Sequence, residues 1–240
     1  MSEVILISIL VLFSAVLQTS TGFGFSIVAT PFLLFFFEPR EAIQINLILS
    51  LVISCVLIAK IRQDVDFNIL KRFIFGSAAG LPVGIILFLI LNMTILKLGV
   101  SLLILVLTLL LMMKFHVKKT NTRDYFVGGI SGSLTTSIGI PGPPILLYFS
   151  GTNTQKETLR ATTLAFYLWI YAVSLLIQII FAGTTKTVWT SSGLALPILL
   201  VGMVIGQLLF RRINQQAFRI CTYIILVFTG VTLFIKSWEW

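Results

Sequence analysis

Gln18-Thr19-Ser20-Thr21-Gly22-Phe23-Gly24-Phe25 lies inside an apolar run, residues 3–37, and how that interruption is read decides the fold. The run is much longer than the roughly 20 residues that carry one helix across hydrocarbon. Its two glycines favour strained turns over helix interior. The run therefore reads as helix, break, helix. A second stretch, Ser137-Ile138-Gly139-Ile140-Pro141-Gly142-Pro143-Pro144, interrupts the run 124–150 in the same way. Its prolines lack the backbone donor that a continuous helix needs.

Outward from these breaks, the 240 residues are 58% hydrophobic and only 10% charged, with a mean hydropathy of +1.07. A soluble surface cannot be built from so few charges, since soluble domains carry about a quarter. Further apolar segments at 42–59, 73–91, 95–113, 161–182, 190–210 and 217–235 have the length of ordinary spans. The fold class is all-α: a polytopic membrane protein with about eight hydrophobic segments, the first and fifth broken, each re-entrant or crossing twice. No basic region precedes the first run, where the early charge is Glu3, so that run reads as a retained segment and not a cleaved signal peptide.

Most of the 17 basic residues fall in four loops. These hold Lys60, Arg62, Lys71 and Arg72; Lys114, Lys118, Lys119 and Arg123; Lys156 and Arg160; and Arg211, Arg212 and Arg219. Basic loops stay on the cytoplasmic side, which accounts for the net charge of +9 without nucleic acid. Loops 114–123 and 151–160 then share a side, so 124–150 enters and leaves from the cytoplasm. Applied backwards, the same parity makes 3–37 a hairpin from outside. Each half is a hairpin plus three spans, and the halves have opposite orientation, an inverted repeat of the kind secondary transporters use. The expected organisation is a first repeat at 1–113, a basic cytoplasmic linker at 114–123 and a second repeat at 124–240. Echoes between Pro31-Phe32-Leu33-Leu34-Phe35-Phe36 and Pro144-Ile145-Leu146-Leu147-Tyr148-Phe149 agree with this.

Unwound backbone in hydrocarbon must be buried in protein or line a polar cavity. Two such stretches at matching positions point to one shared midplane site, and half-helix N-termini there suit an anion. The candidate substrate-binding residues are Gln18, Thr19, Thr21, Gly22 and Gly24 at the first break, Thr135, Thr136, Ser137 and Gly139 at the second, and Asn46 in the following span. For any one of them, helix packing or bonding to a nearby carbonyl is an equal reading. Gln44 reads as close to the outer interface, Gln178 and Gln207 as interhelical bonds, and Tyr148 and Tyr167 as interfacial belt aromatics. Glu38, Glu41 and Asp124 read as solvated interfacial acids, and no charge lies near the centre of a span. Cys55 and Cys221 read as buried packing thiols.

Enzyme chemistry has little to stand on. The only histidine, His116, sits among linker lysines, no residues have metal-ligand spacing, and no Walker loop or dinucleotide fingerprint is present. No cofactor or metal is expected. Gly128-Gly129 with Gly132 reads as small-residue packing. The expected partners are a small anion and the lipid bilayer, not nucleic acid, with a homodimer left open. An anion channel is the rival reading, and a non-sulfur carboxylate the rival cargo.

The pattern resembles the TauE/SafE sulfite exporter family, which includes transporters like the 4-toluene sulfonate uptake permeases. The carrying residues are Gln18 to Phe25 and Pro31 in the first half, with Gly128-Gly129-Ile130-Ser131-Gly132 and Gly139-Ile140-Pro141-Gly142-Pro143-Pro144 in the second. The resemblance implies transport of sulfite, sulfonates or related organosulfur anions, by a multi-pass protein of the cell membrane, the inner membrane in a Gram-negative bacterium. The second break lacks a plain Gly-x-Gly, so the two half-sites differ.

Overall fold

A computed structural model describes residues 2–90, 120–152 and 154–212, with residues 102, 106, 109, 220, 224, 227 and 231. Most of the expected spans 95–113 and 217–235, His116, most of the basic linker and Cys221 lie outside the described residues. Among the described residues the chain is all-helical, without strands. Helix α1 runs Ser2–Thr21, α2 Phe25–Leu33, α3 Pro39–Ile61, α4 Phe67–Ile90, α5 Asn121–Ile138, α6 Gly142–Gly151, α7 Lys156–Ala182 and α8 Lys186–Arg212. A 3-10 turn, Arg62–Asp64, follows α3.

Five stretches are long and apolar enough to cross a membrane: Val4–Thr21, Pro39–Asp64, Phe67–Ile90, Lys156–Ala182 and Lys186–Phe210. Their outward faces carry Ile86, Ile180, Phe181, Leu194, Val204 and Leu208, all exposed. Water would not tolerate so broad an apolar surface, whereas lipid does. Cys55 belongs to this outward surface, against the expectation of a buried thiol.

Both predicted breaks are present. Helix α1 stops at Thr21, and Gly22 and Gly24 adopt φ of 86° and 114°. Helix α5 stops at Ile138, and Gly139 adopts φ of 75°. Side chains disfavour that region, so glycine is what permits each stop. The returning helices are short: nine residues in α2 and ten in α6, about 14 and 15 Å at 1.5 Å per residue. Neither crosses a hydrocarbon core of about 30 Å alone.

Close helix pairs come from glycines. On α4, Gly76, Gly80 and Gly84 face the Tyr125, Gly129 and Ser133 backbone of α5, and Gly128 and Gly132 of α5 face Phe73 and Ser77. On α8, Gly202 and Gly206 lie against Leu12, Ala15, Val16 and Thr19 of α1. Without Cβ atoms the backbones approach closely, and dispersion then holds helices that hydrophobicity cannot drive together in lipid. Gly128, Gly129 and Gly132 are thus packing residues, as expected. Helix α3 packs against both α7 and α8, and α7 also packs against α4.

One end of the bundle gathers the basic segments. The Arg72 guanidinium at the start of α4 pairs with Asp124 at the start of α5 (2.6 Å). The Asp66 amide donates to Thr162 Oγ1 near the start of α7 (2.9 Å). Arg160 donates to Gln207 near the end of α8 (2.7 Å). At the other end, Gln44 donates to the Gly183 carbonyl (2.8 Å) and Thr185 to Glu41 (2.6 Å). Asp124 is buried, not the solvated interfacial acid expected, because it is the counter-ion of Arg72 and faces the Tyr148 hydroxyl.

Helices overrun the apolar segments at this end. Helix α5 starts at Asn121, inside the stretch read as linker, capped by the Thr120 side chain accepting from the Arg123 amide. Helix α7 starts at Lys156, which moves Arg160 from a loop into the helix. A helix continues through polar residues wherever a neighbour packs on it, and hydropathy does not register that.

Candidate functional site

The first break is held from within. Thr21 Oγ1 donates to the Leu17 carbonyl (2.7 Å) and lies 2.5 Å from the Phe23 carbonyl, while the Gly22 amide closes on Gln18 (2.8 Å). Thr21 is thereby committed to local bonds. A methyl on Gly22 would meet the Arg160 Cα at 2.8 Å, so the break is wedged against the start of α7. Gly24 precedes α2, whose first turn carries the amides of Phe25, Ser26 and Ile27. Helical first-turn amides have no intrahelical acceptor.

The second break is built alike, with one chemical difference. The Gly139 amide bonds to Thr135 (2.8 Å) and the Ile140 amide reaches back to Leu134 (3.4 Å). Thr135, Thr136 and Ser137 bond back to carbonyls one turn earlier on α5, those of Ser131, Gly132 and Ser133. Thr136 also meets Ser174 of α7 (2.9 Å), and its carbonyl accepts from Gln178 (2.8 Å). Asn46 of α3 donates to the Gly139 carbonyl (2.9 Å). The first turn of α6, however, contains Pro143 and Pro144, which have no amide hydrogen.

The tips of the two short helices meet. A methyl on Gly142, at the head of α6, would sit 3.1 Å from Ile27 Cδ1 of α2 and 3.0 Å from the Tyr167 hydroxyl of α7. One turn along α7, the Tyr171 hydroxyl lies 2.6 Å from Ser26 Oγ, in the first turn of α2. Ser26 also reaches Ser50 of α3 (3.3 Å), and Ser50 lies 3.5 Å from Asn46 Oδ1. Gln18 donates to the Ser50 carbonyl (3.4 Å), while its own Oε1 has no partner. The centre of the bundle is therefore a buried hydroxyl and amide cluster drawn from α1, α2, α3 and α7, beside the head of α6.

Of the residues expected from sequence, Gln18, Asn46, Gly22, Gly24 and Gly139 frame this cluster. Thr135, Thr136 and Ser137 form the wall behind the second break. Thr19 points elsewhere, against Gly206 of α8, with its hydroxyl unpartnered. Ser26, Ser50, Tyr167 and Tyr171 were missed. Tyr148 and Tyr167 are buried, at 2% and 1% exposure, and are not belt aromatics. A signal existed: Asn46, Ser50 and Ser54 recur every fourth residue on α3, as do Tyr167 and Tyr171 on α7. A polar stripe at that spacing on an apolar helix marks its inward face. Gln178 and Gln207 serve as interhelical bonds, as expected.

Helices of spanning length around a buried polar centre define a multi-pass membrane protein. A family model described as Sulfite exporter TauE/SafE matches residues 7–233, nearly the whole chain, and the chain belongs to that family. The family is one of transporters. No curated protein and no solved structure matches the chain.

Proposed function

We propose that the chain is a secondary transporter of small anions, with sulfite, a sulfonate or a related organosulfur anion as cargo, working by alternating access. The observation that carries this reading is the meeting of the two short helices: Gly142 lies against Ile27 and Tyr167, and Ser26 lies against Tyr171. Neutral donors on a helix N-terminus hold an oxyanion without a buried cation, which leaves binding loose enough for release.

The rest of the reading is an inverted repeat spanning 1–113 and 124–240. It is supported by two long-then-short helix pairs, each broken at a left-handed glycine. Packing repeats as well, since α1 pairs with α8 as α5 pairs with α4. In the re-entrant reading α1–α2 is a hairpin from outside. Phe37, after α2, shares a cavity with Val4 and Ile7 of α1. Helices α5–α6 form the hairpin from inside, where Phe73 contacts Tyr148 and Phe149 of α6. The chain then sits in the cell membrane with the Arg72–Asp124 end in the cytoplasm.

The test is flux in reconstituted vesicles with sulfite, a sulfonate and a carboxylate, with and without a pH gradient. Saturable sulfite flux accelerated by counter-substrate is the expected result. Single-channel currents would replace the carrier with a channel, and flux confined to carboxylates would replace the cargo.

A further inference from the structure

Arg160 lies beyond the central cluster, one turn into α7, and is 2% exposed. Its Cα, Cβ and Cγ pack on Gly22, so the side chain runs from the first break toward the basic end. There it lines a cavity of about 160 Å³ together with Ile61, Asp64, Glu157, Gln207 and Phe210. The guanidinium carbon stacks 4.1 Å from the centre of the Phe210 ring. Nη2 donates to Gln207 Oε1 at 2.7 Å, and Nε is buried with no acceptor.

The Nε and Nη2 edge of an arginine is the pair of donors that grips two oxygens of one anion at once. Two carboxylates line this cavity, yet among the described residues neither forms an ion pair with Arg160. Glu157 pairs with Lys156 instead, at 3.7 Å. The edge is shared with one neutral amide.

We propose that Arg160 and its cavity form a second oxyanion site, on the basic side of the first break, that takes a tetrahedral or pyramidal sulfur oxyanion on the Nε–Nη2 edge. Gln207 Oε1 occupies half of that edge and yields it when the anion arrives. Backbone contact with Gly22 places the site directly beneath the break. Its role as the inner station of a transport route rests on the transporter reading, whereas anion binding at Arg160 does not.

The experiment has two arms on the full chain. In the first, radiolabelled sulfite is titrated onto purified protein in detergent, wild type against Arg160→Gln, which keeps the stem that packs on Gly22. The wild type is expected to bind one more sulfite per chain than the variant; equal stoichiometry overturns the proposal. In the second arm, sulfite KM is measured separately from each face of oriented vesicles. Arg160→Gln should raise KM at the basic face about tenfold and leave the other face unchanged. Gln207→Leu should lower it at the basic face severalfold, because the edge loses its competing acceptor. A merely structural pair would move both variants in one direction and on both faces, which would overturn the site. Absence of any sulfite flux in the wild type would sink the transporter reading while the first arm still decides the site. Arg160→Lys, which keeps the charge and loses the fork, should fall between wild type and Arg160→Gln.

Discussion

Asn46, two turns into α3, donates its amide to the carbonyl of Gly139, the residue that ends α5 (2.9 Å). A carbonyl at a buried helix end has no intrahelical donor, so a side chain from the opposite half of the sequence supplies one. Replacing Asn46 with Leu keeps the volume and orphans that carbonyl, a loss of about 1–3 kcal/mol. Asn46→Asp should cost more, because a carboxylate turns an acceptor toward an acceptor. Thermal unfolding in detergent reads both. Melting curves that overlay the wild type would show that the contact contributes nothing.

Glycines with similar φ should respond differently to a methyl group. Gly22, Gly139 and Gly183 share φ near 80°. A Cβ on Gly22 strikes the Arg160 backbone at 2.8 Å and one on Gly139 strikes Asn46 Nδ2 at 2.7 Å, whereas Gly183 has open space. Gly183, with ψ of −176°, lies in a region almost reserved for glycine, so Gly183→Ala should lose a backbone term of about 1–3 kcal/mol and keep most of its flux. Gly22→Ala and Gly139→Ala should lose transport while still inserting into membranes. Equal activity in all three would mean that the breaks tolerate displacement and carry no site.

Ser26 and Tyr171 share one hydrogen bond at the meeting point of α2 and α7. Ser26→Ala and Tyr171→Phe should each weaken sulfite binding severalfold, from the loss of about 1 kcal/mol. The double variant should be less than additive, since the two changes delete one bond. Strict additivity in equilibrium binding would separate the two hydroxyls.

Facing of the loops is open to chemical labelling. With Cys55 and Cys221 replaced by serine, cysteines at Gln63 and Lys156 should react from the cytoplasmic face and one at Thr184 from the opposite face. Reaction of Gln63 and Lys156 positions from different sides would undo the parity on which the hairpins depend.

Arg72 and Asp124 tie α4 to α5 near the polar end, with the Asp124 side chain only 2% exposed. Removing the arginine strands a buried carboxylate, so Arg72→Ala should destabilise by about 3 kcal/mol. Lys156→Ala, which breaks the more exposed pair with Glu157, should cost under about 1 kcal/mol. Thermal melts of both variants, compared at one detergent concentration, make the check.

The broken helices were legible in sequence because their cause is local. Gly22, Gly24 and Gly139 supply backbone angles that other residues resist, and Pro141, Pro143 and Pro144 remove three donors within four residues. The basic clusters were legible as composition, but Lys60, Lys71, Arg72, Arg123, Lys156, Arg211 and Arg212 stand in helices and not in the loops expected. Arg160 was not legible. It reads as a loop cation until packing against Gly22 draws the helix start back to Lys156. Tyr167 was hidden for a related reason: an aromatic near a segment end looks interfacial, and only the pairing of α3 with α7 turns it inward. Thr19 fails the other way, being the right residue type in the right stretch but turned toward α8.

Pro143 and Pro144 at the head of α6 have a further consequence. Where α2 begins with three amides, α6 offers the Gly142 amide and then two ring nitrogens that bear no hydrogen. A solute between the tips is then gripped by one partner and merely fenced by the other. Such a carrier is lopsided: it travels with the half that owns the donors. On the proposed alternating-access reading, its two orientations would differ in energy even in a symmetric bath, making release rates unequal on the two sides without changing the final equilibrium.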